Sequence, residues 1–281
     1  MMRVALNGRL IDGPVPLDPA DRGLILGDGL FETMLVVNRA ALWRHMHLAR
    51  MESAANELGL PFDRGAVDAT LDALLAETDH SHHVLRLTLT RGAAARGLGG
   101  RGKTPTLLAT LEPFDAGLMF QPATLITATI RRGIASVAAR LKTLSYIDNI
   151  AAAREAAARG AEDALMLNTA GHVASTTIAN IFLFKGKKLV TPARDQAILT
   201  GVTRQALIAA AHHLNVETEE RAITPAELHR ADAVFLTNSL RLLRPVKSLD
   251  GQSLHMADLA PLAEALCEAA RLQCGADPRL I

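Results

Sequence analysis

Lys142 stands between Leu141 and Thr143, after an apolar run and just before an alanine-rich stretch, with no carboxylate close by in sequence. Lysines ordinarily sit on solvated faces, whereas one at a strand-to-helix junction with uncharged neighbours is also placed to lose its proton and attack a carbonyl. Other residues could hold an anion. In ILTGVTR (198–204) a glycine precedes Val202 and Thr203 at the start of a predicted helix, which exposes free backbone N–H groups and a hydroxyl. Thr237, Asn238 and Ser239 end a predicted strand and offer more donors, and Arg50 adds a permanent charge. Each has an ordinary explanation as a cap or a surface group. Together with Lys142 they suggest a phosphate anchor and a Schiff-base amine.

Other motifs carry less. GLGGRGKT (97–104) matches the P-loop pattern, but Pro105 and a β run follow where a phosphate-binding helix must begin, so it reads as a flexible glycine-rich loop that could close over a substrate. The DHSHH stretch (79–83) follows a helix and lacks a second ligand set at metal-binding spacing, so it reads as a solvated loop. His45 and His47 are two apart on a predicted helix and diverge, so no metal site is expected there.

The elements that must position these residues follow from periodicity. Asn7-Gly8 between two short apolar runs predicts a hairpin. Gly23, Gly27 and Gly29 punctuate a predicted loop before a strand over 30–37, and Asn38-Arg39 predicts a second turn. Helices are predicted over 44–58, closed by Gly59, and over 63–77. The run 84–91 alternates, with Leu85, Leu87 and Leu89 on one face, and 106–111 is a further strand. The second half predicts strands over 123–130, 163–167, 181–185 and 233–237, and helices over 147–160, 203–214, 225–230 and 259–272. Strands outnumber helices without regular alternation, which points to mixed α/β or α+β sheets. Residues 114–122 form the expected linker between an N-terminal domain (1–113) and a larger C-terminal one (123–281).

The composition sets limits. With 281 residues and 49% hydrophobic residues the chain can bury a large core. Lys plus Arg (30) nearly balance Asp plus Glu (29), which gives no electrostatic case for nucleic acid or an anionic membrane. No apolar run approaches the roughly 20 residues of a membrane span, and the N-terminus lacks a signal-peptide core. Cys267 and Cys274 lie seven apart in one helical pattern, too far for a disulfide along a regular helix, and read as reduced thiols of a cytoplasmic protein.

Seven strings fall in an order that resembles a known family: GDGLFET (27–33), HLARMESA (47–54), LTRG (89–92), LKTLSYIDN (141–149), GHVASTTIANIF (171–182), ILTGVTR (198–204) and FLTNSLRLLRPV (235–246). The chain resembles the class IV aminotransferases, the fold-type IV pyridoxal-phosphate (PLP) enzymes, which include D-amino acid and branched-chain aminotransferases and 4-amino-4-deoxychorismate lyase. The resemblance implies a small N-terminal α/β domain, a larger C-terminal mixed-sheet pseudo-barrel and a homodimer with loops of both subunits around the site. It implies Lys142 as the Schiff-base lysine that also shuttles the α-proton, and Arg50, Val202, Thr203 and Ser239 as the phosphate cup. Phe31, Arg96 and Arg241 become candidates for the substrate side.

One position departs from the family. Its glutamate at the pyridine nitrogen lies five residues before the asparagine of the N-[IV]-F element, and counting back from Asn180 gives Ser175. A carboxylate keeps the ring protonated, whereas a hydroxyl would leave it mostly neutral. This difference and the GLFET and TNSLR strings lean toward the lyase, which releases pyruvate and 4-aminobenzoate. An aminotransferase for D-amino or branched-chain amino acids and a non-catalytic PLP-binding protein are the alternatives.

Overall fold

The computed structural model describes residues 2–78, 81–100, 102 and 104–280, so Asp79 and His80 of the histidine stretch and Arg101 and Lys103 of the glycine-rich loop lie outside the described residues. The chain divides into two compact units, one of Met1–Asp115, Leu141–Ser145 and Ala270–Ile281, the other of Ala116–Arg140 and Tyr146–Ala269. The Lys142 segment and the chain end thus group with the N-terminal residues, although they follow the expected linker in sequence.

The first unit is built on a six-stranded sheet in the order Arg9–Ile11, Arg3–Leu6, Thr106–Pro113, His83–Thr90, Gly29–Val37 and Ala40–Ala41. Every neighbouring pair is antiparallel. Both predicted tight turns form, and Asn7, Gly8, Asn38 and Arg39 take the positive φ those turns require. The helices Arg44–Leu58 and Arg64–Ala76 join Leu48, Met51, Leu71 and Leu74 to Leu85, Leu87 and Leu89 in one core, so the alternating leucines face inward as their period demands. Where a loop was expected around Gly23, residues Arg22–Leu26 form a short helix, because the Asp21 carboxylate accepts the Gly23 N–H and caps it. His82 is buried and bonds the Pro278 carbonyl at 2.8 Å, so that member of the histidine stretch is structural rather than solvated.

The second unit is a nine-stranded mixed sheet. Its path runs Glu217–Arg221, Lys188–Pro192, Asn180–Lys185, Ala233–Asn238, Leu242–Leu249, Ala123–Arg132, Asp163–Asn168 and Val173–Thr176. The sheet curls, since Val173 of its last strand donates to the Ile223 carbonyl just beyond its first, and a single core takes Leu125, Leu165, Ile181, Val190, Leu236 and Val246 from around the curve. This is the pseudo-barrel expected. Pro245 lies inside Leu242–Leu249, against the usual rule for strands. It is tolerated because pairing with Ala123–Arg132 starts only at Val246. Among the described residues, no helix is long and apolar enough to cross a membrane.

Gly92 closes the base of the glycine-rich loop at φ +76°, and a Cβ there would lie 1.9 Å from the Thr104 carbonyl oxygen. Gly92→Ala is therefore expected to cost about 3 kcal/mol or more, from backbone strain added to a clash with rigid main chain. Urea unfolding measures it, and a cost below about 1 kcal/mol would show that the loop base yields.

Candidate active site

Lys142 is positioned by its backbone. Leu141–Ser145 lies along the strand Gly29–Val37, with Thr143 bridged to Leu30, the Phe31 N–H donating to the Lys142 carbonyl at 2.9 Å and the Leu144 N–H to the Gly29 carbonyl at 3.0 Å. The ammonium nitrogen lies 4.3 Å from the centre of the Phe31 ring, and the Arg86 guanidinium lies 4.0 Å from the same centre. Two cations thus share one buried aromatic ring, whose electron-rich faces attract them.

Glu32, the next residue on that strand, points the other way, as a strand requires. Its buried carboxylate accepts Arg50 Nε at 2.8 Å and Nη2 at 2.6 Å in a two-pronged fork, and His47 Nδ1 lies 2.7 Å from Oε2. His47 and Arg50 are three apart on the helix, so both reach Glu32. Burial alone would raise the Glu32 carboxyl, but Arg50 and then His47 outweigh it and hold its pKa at about 2. Burial lowers the His47 pKa; Glu32 opposes this, and the charges of Arg50 and Lys142 add to it. Because a carboxylate only accepts, the 2.7 Å contact places a proton on His47 Nδ1, which donates to Glu32.

In the second unit, the helix Val202–His213 begins at Gly201 without a side-chain cap, and its first N–H groups have no acceptor within the helix. Thr203 Oγ1 is buried and has no hydrogen-bond partner, and neither has Thr237 Oγ1. Asn180 joins the two regions. It lies across the sheet from Thr237, donates from Nδ2 to the Leu199 carbonyl at 2.8 Å, and presses on Gly201 so closely that a Cβ there would lie 2.1 Å from its Oδ1. Two buried hydroxyls without acceptors beside an uncapped helix N-terminus are costly unless an anion supplies the oxygens. The arrangement fits the phosphate of a cofactor.

Asn238, after Thr237, accepts the Leu240 and Arg241 N–H groups in a tight turn that also holds Ser239. The half-buried Arg241 guanidinium makes no hydrogen bond or ion pair with any described residue; burial, and then the nearby Arg244, lower its pKa. Ser175 is buried on Val173–Thr176 and donates to the Thr176 carbonyl at 2.9 Å. The nearby carboxylate of Asp163 is occupied by the Ala164 and Thr177 N–H groups and the Thr177 hydroxyl.

Of the residues singled out in the sequence, the first unit gathers Lys142, Phe31 and Arg50, and leaves Arg96 exposed on the glycine-rich loop. The second unit gathers Val202 and Thr203 with Thr237, and carries Ser175, Ser239 and Arg241 on strands and turns of the same sheet. Sequence reasoning missed Glu32, Arg86 and the part played by His47; the spacing of His47 and Arg50 was the available signal.

The family model for amino-transferase class IV matches residues 29–249. The chain belongs to the class IV aminotransferase family. A bifunctional aminodeoxychorismate lyase / D-amino acid transaminase of Mycobacterium tuberculosis is 30% identical over 96% of this chain and 98% of its own length. The branched-chain aminotransferase of Thermoproteus uzoniensis, solved with norvaline, superposes with a TM-score of 0.88 at 26% identity, covering 98% of this chain and 95% of that one. A hypothetical aminotransferase of M. tuberculosis in its PLP-bound form superposes at 0.84 with 29% identity, covering 95% and 98%. These class IV enzymes are PLP-dependent, share the fold-type IV architecture and act on amino and keto acids.

The Glu32 fork gives this class IV enzyme an acid-sensitive element. The folded pKa of about 2 lies below the ordinary 4.5, so the stabilisation is complete above pH 4.5 and is lost as pH falls toward 2. The loss amounts to about 3 kcal/mol. Urea midpoints followed over that interval should fall more steeply for the wild type than for Glu32→Gln, whereas parallel curves would contradict the assignment.

Proposed function

We propose that this chain is a PLP enzyme using Lys142 as its Schiff-base lysine, and that its main reaction is the release of pyruvate and 4-aminobenzoate from 4-amino-4-deoxychorismate. The buried, acceptor-less hydroxyls of Thr203 and Thr237 at an uncapped helix N-terminus carry the cofactor reading. Bound PLP supplies an aldehyde that captures the substrate amine and a conjugated ring that takes up electron density as the α-hydrogen leaves. Val202, Thr203, Thr237 and Ser239 hold the phosphate, with Arg50 as its charge. The Lys142 Nζ accepts the substrate proton, and its backbone ladder to Gly29 and Phe31 limits where that nitrogen can reach. Phe31 bounds the substrate side.

Ser175 favours the lyase. A hydroxyl that already donates to the Thr176 carbonyl cannot keep a ring nitrogen protonated as a carboxylate does. Amino transfer would leave the electrons on the bound cofactor and so would call for a carboxylate at position 175. Elimination passes the electrons on to the departing pyruvate, and the ring left behind becomes aromatic. Arg241, half-buried and without an ion pair, suits one of the substrate's two carboxylates, and Arg96 suits the other. The relative that performs both lyase and D-amino acid transaminase reactions keeps D-amino acid transamination as the second reading, with branched-chain transamination beside it. We further propose that the enzyme is cytoplasmic and a homodimer; gel filtration of the holoenzyme tests the dimer, and elution at the mass of one chain would contradict it.

Pyruvate release from 4-amino-4-deoxychorismate, run beside half-transamination of D-alanine and of L-leucine, separates these reactions. Lyase turnover should dominate in the wild type, and Ser175→Glu should raise D-alanine half-transamination about tenfold. An unchanged or lower rate in that variant would mean that the ring nitrogen has another partner. Tight PLP binding with no spectral response to any substrate would instead favour a binding protein.

A further inference from the structure

Arg22 is a charged residue only 4% exposed, and the chemistry described above does not use it. Its Nε donates to Asp28 Oδ2 at 2.8 Å, while Nη1 and Nη2 donate to the carbonyls of Gly97 and Leu98 at 2.7 and 2.9 Å. One planar guanidinium thus holds two successive carbonyls of the glycine-rich loop. The loop ends are fixed separately: Asp21 Oδ2 accepts the hydroxyls of Thr90 and Thr106 on the two flanking strands, and the Arg22 N–H donates to the Gly92 carbonyl. Asp28 is itself anchored, since Arg91 Nε shares its Oδ2 while the rest of Arg91 holds the Leu58 and Gly59 carbonyls. Burial opposes ionisation of Asp28, but Arg91 and Arg22 outweigh it and keep the carboxyl charged.

A glycine-rich surface loop would otherwise be among the most mobile parts of a domain. Burying a guanidinium to fix it is costly, and the residue just before the two held carbonyls is Arg96, exposed and without an ion pair among the described residues. We infer that Arg22 is a positioning residue that sets the direction of Arg96 toward a substrate carboxylate. The inference rests on the reading of Arg96 as a substrate-binding residue. A lysine at position 22 could keep the Asp28 pair but could not present a planar fork to two carbonyls.

The test uses the PLP-loaded enzyme and pyruvate, the keto-acid product both of the lyase reaction and of D-alanine half-transamination. Arg22→Lys should speed amide hydrogen exchange over residues 95–100 and weaken pyruvate binding about tenfold, the scale of one lost charge-assisted hydrogen bond. Arg96→Ala should weaken pyruvate binding at least as much while leaving exchange in the loop slow. The double variant should bind no worse than Arg96→Ala alone, because Arg22 acts through Arg96. Additive losses, or unchanged exchange in Arg22→Lys, would overturn the inference while leaving the Arg96 reading intact. Normal pyruvate binding by Arg96→Ala would overturn both.

Discussion

Two main-chain hydrogen bonds, from Phe31 N–H to the Lys142 carbonyl and from Leu144 N–H to the Gly29 carbonyl, fix where the Lys142 amine can go. A lysine side chain has four rotatable carbons and a large rotamer entropy, so a reactive amine needs an immobile backbone beneath it. The strand Gly29–Val37 supplies that backbone, because it runs inside a sheet whose leucine-lined face is the core of the first unit. Its alternation then does two jobs. Phe31 presents its ring to Lys142 on one face, and Glu32 on the other gathers Arg50 and His47 from the helix Arg44–Leu58.

The two units solve their electrostatics differently. In the first, four cationic or basic side chains, Lys142, Arg86, Arg50 and His47, are gathered around one buried carboxylate and one aromatic ring. The second presents neutral donors, the Thr203 and Thr237 hydroxyls and the first turn of a helix, held in register by Asn180. Such a donor set offers hydrogen bonds to an anion without placing a charged side chain of its own in the interior.

Much of the fold was legible in the sequence where local signals agreed with the tertiary result. The helix Arg44–Leu58 ends at Gly59 because that glycine takes a left-handed φ, and the Asn7-Gly8 turn sets the register of the first hairpin. Legibility failed where tertiary context made the element. Glu217–Arg221 has no apolar alternation and is a strand through its parallel pairing with Lys188–Pro192, with Arg204 pairing to Glu220. Leu242–Leu249 contains a proline that only one-sided pairing allows. The site divides in the same way. Lys142 and the Gly201 turn are marked by their own neighbours, but the partnership of Glu32 with Arg50 and His47 joins a strand to a helix, and the spacing of His47 and Arg50 shows only the helix's half of it. The orphaned state of the Thr237 hydroxyl likewise depends on what packs around it.

The account stands or falls on Lys142 as the residue that carries the cofactor. Incubation with PLP, reduction with sodium borohydride and peptide mapping by mass spectrometry reads this directly. A phosphopyridoxyl group on the peptide containing Lys142, and on no other lysine at stoichiometric PLP, is the predicted result. Labelling confined to exposed lysines such as Lys188, or no label on Lys142, would contradict it.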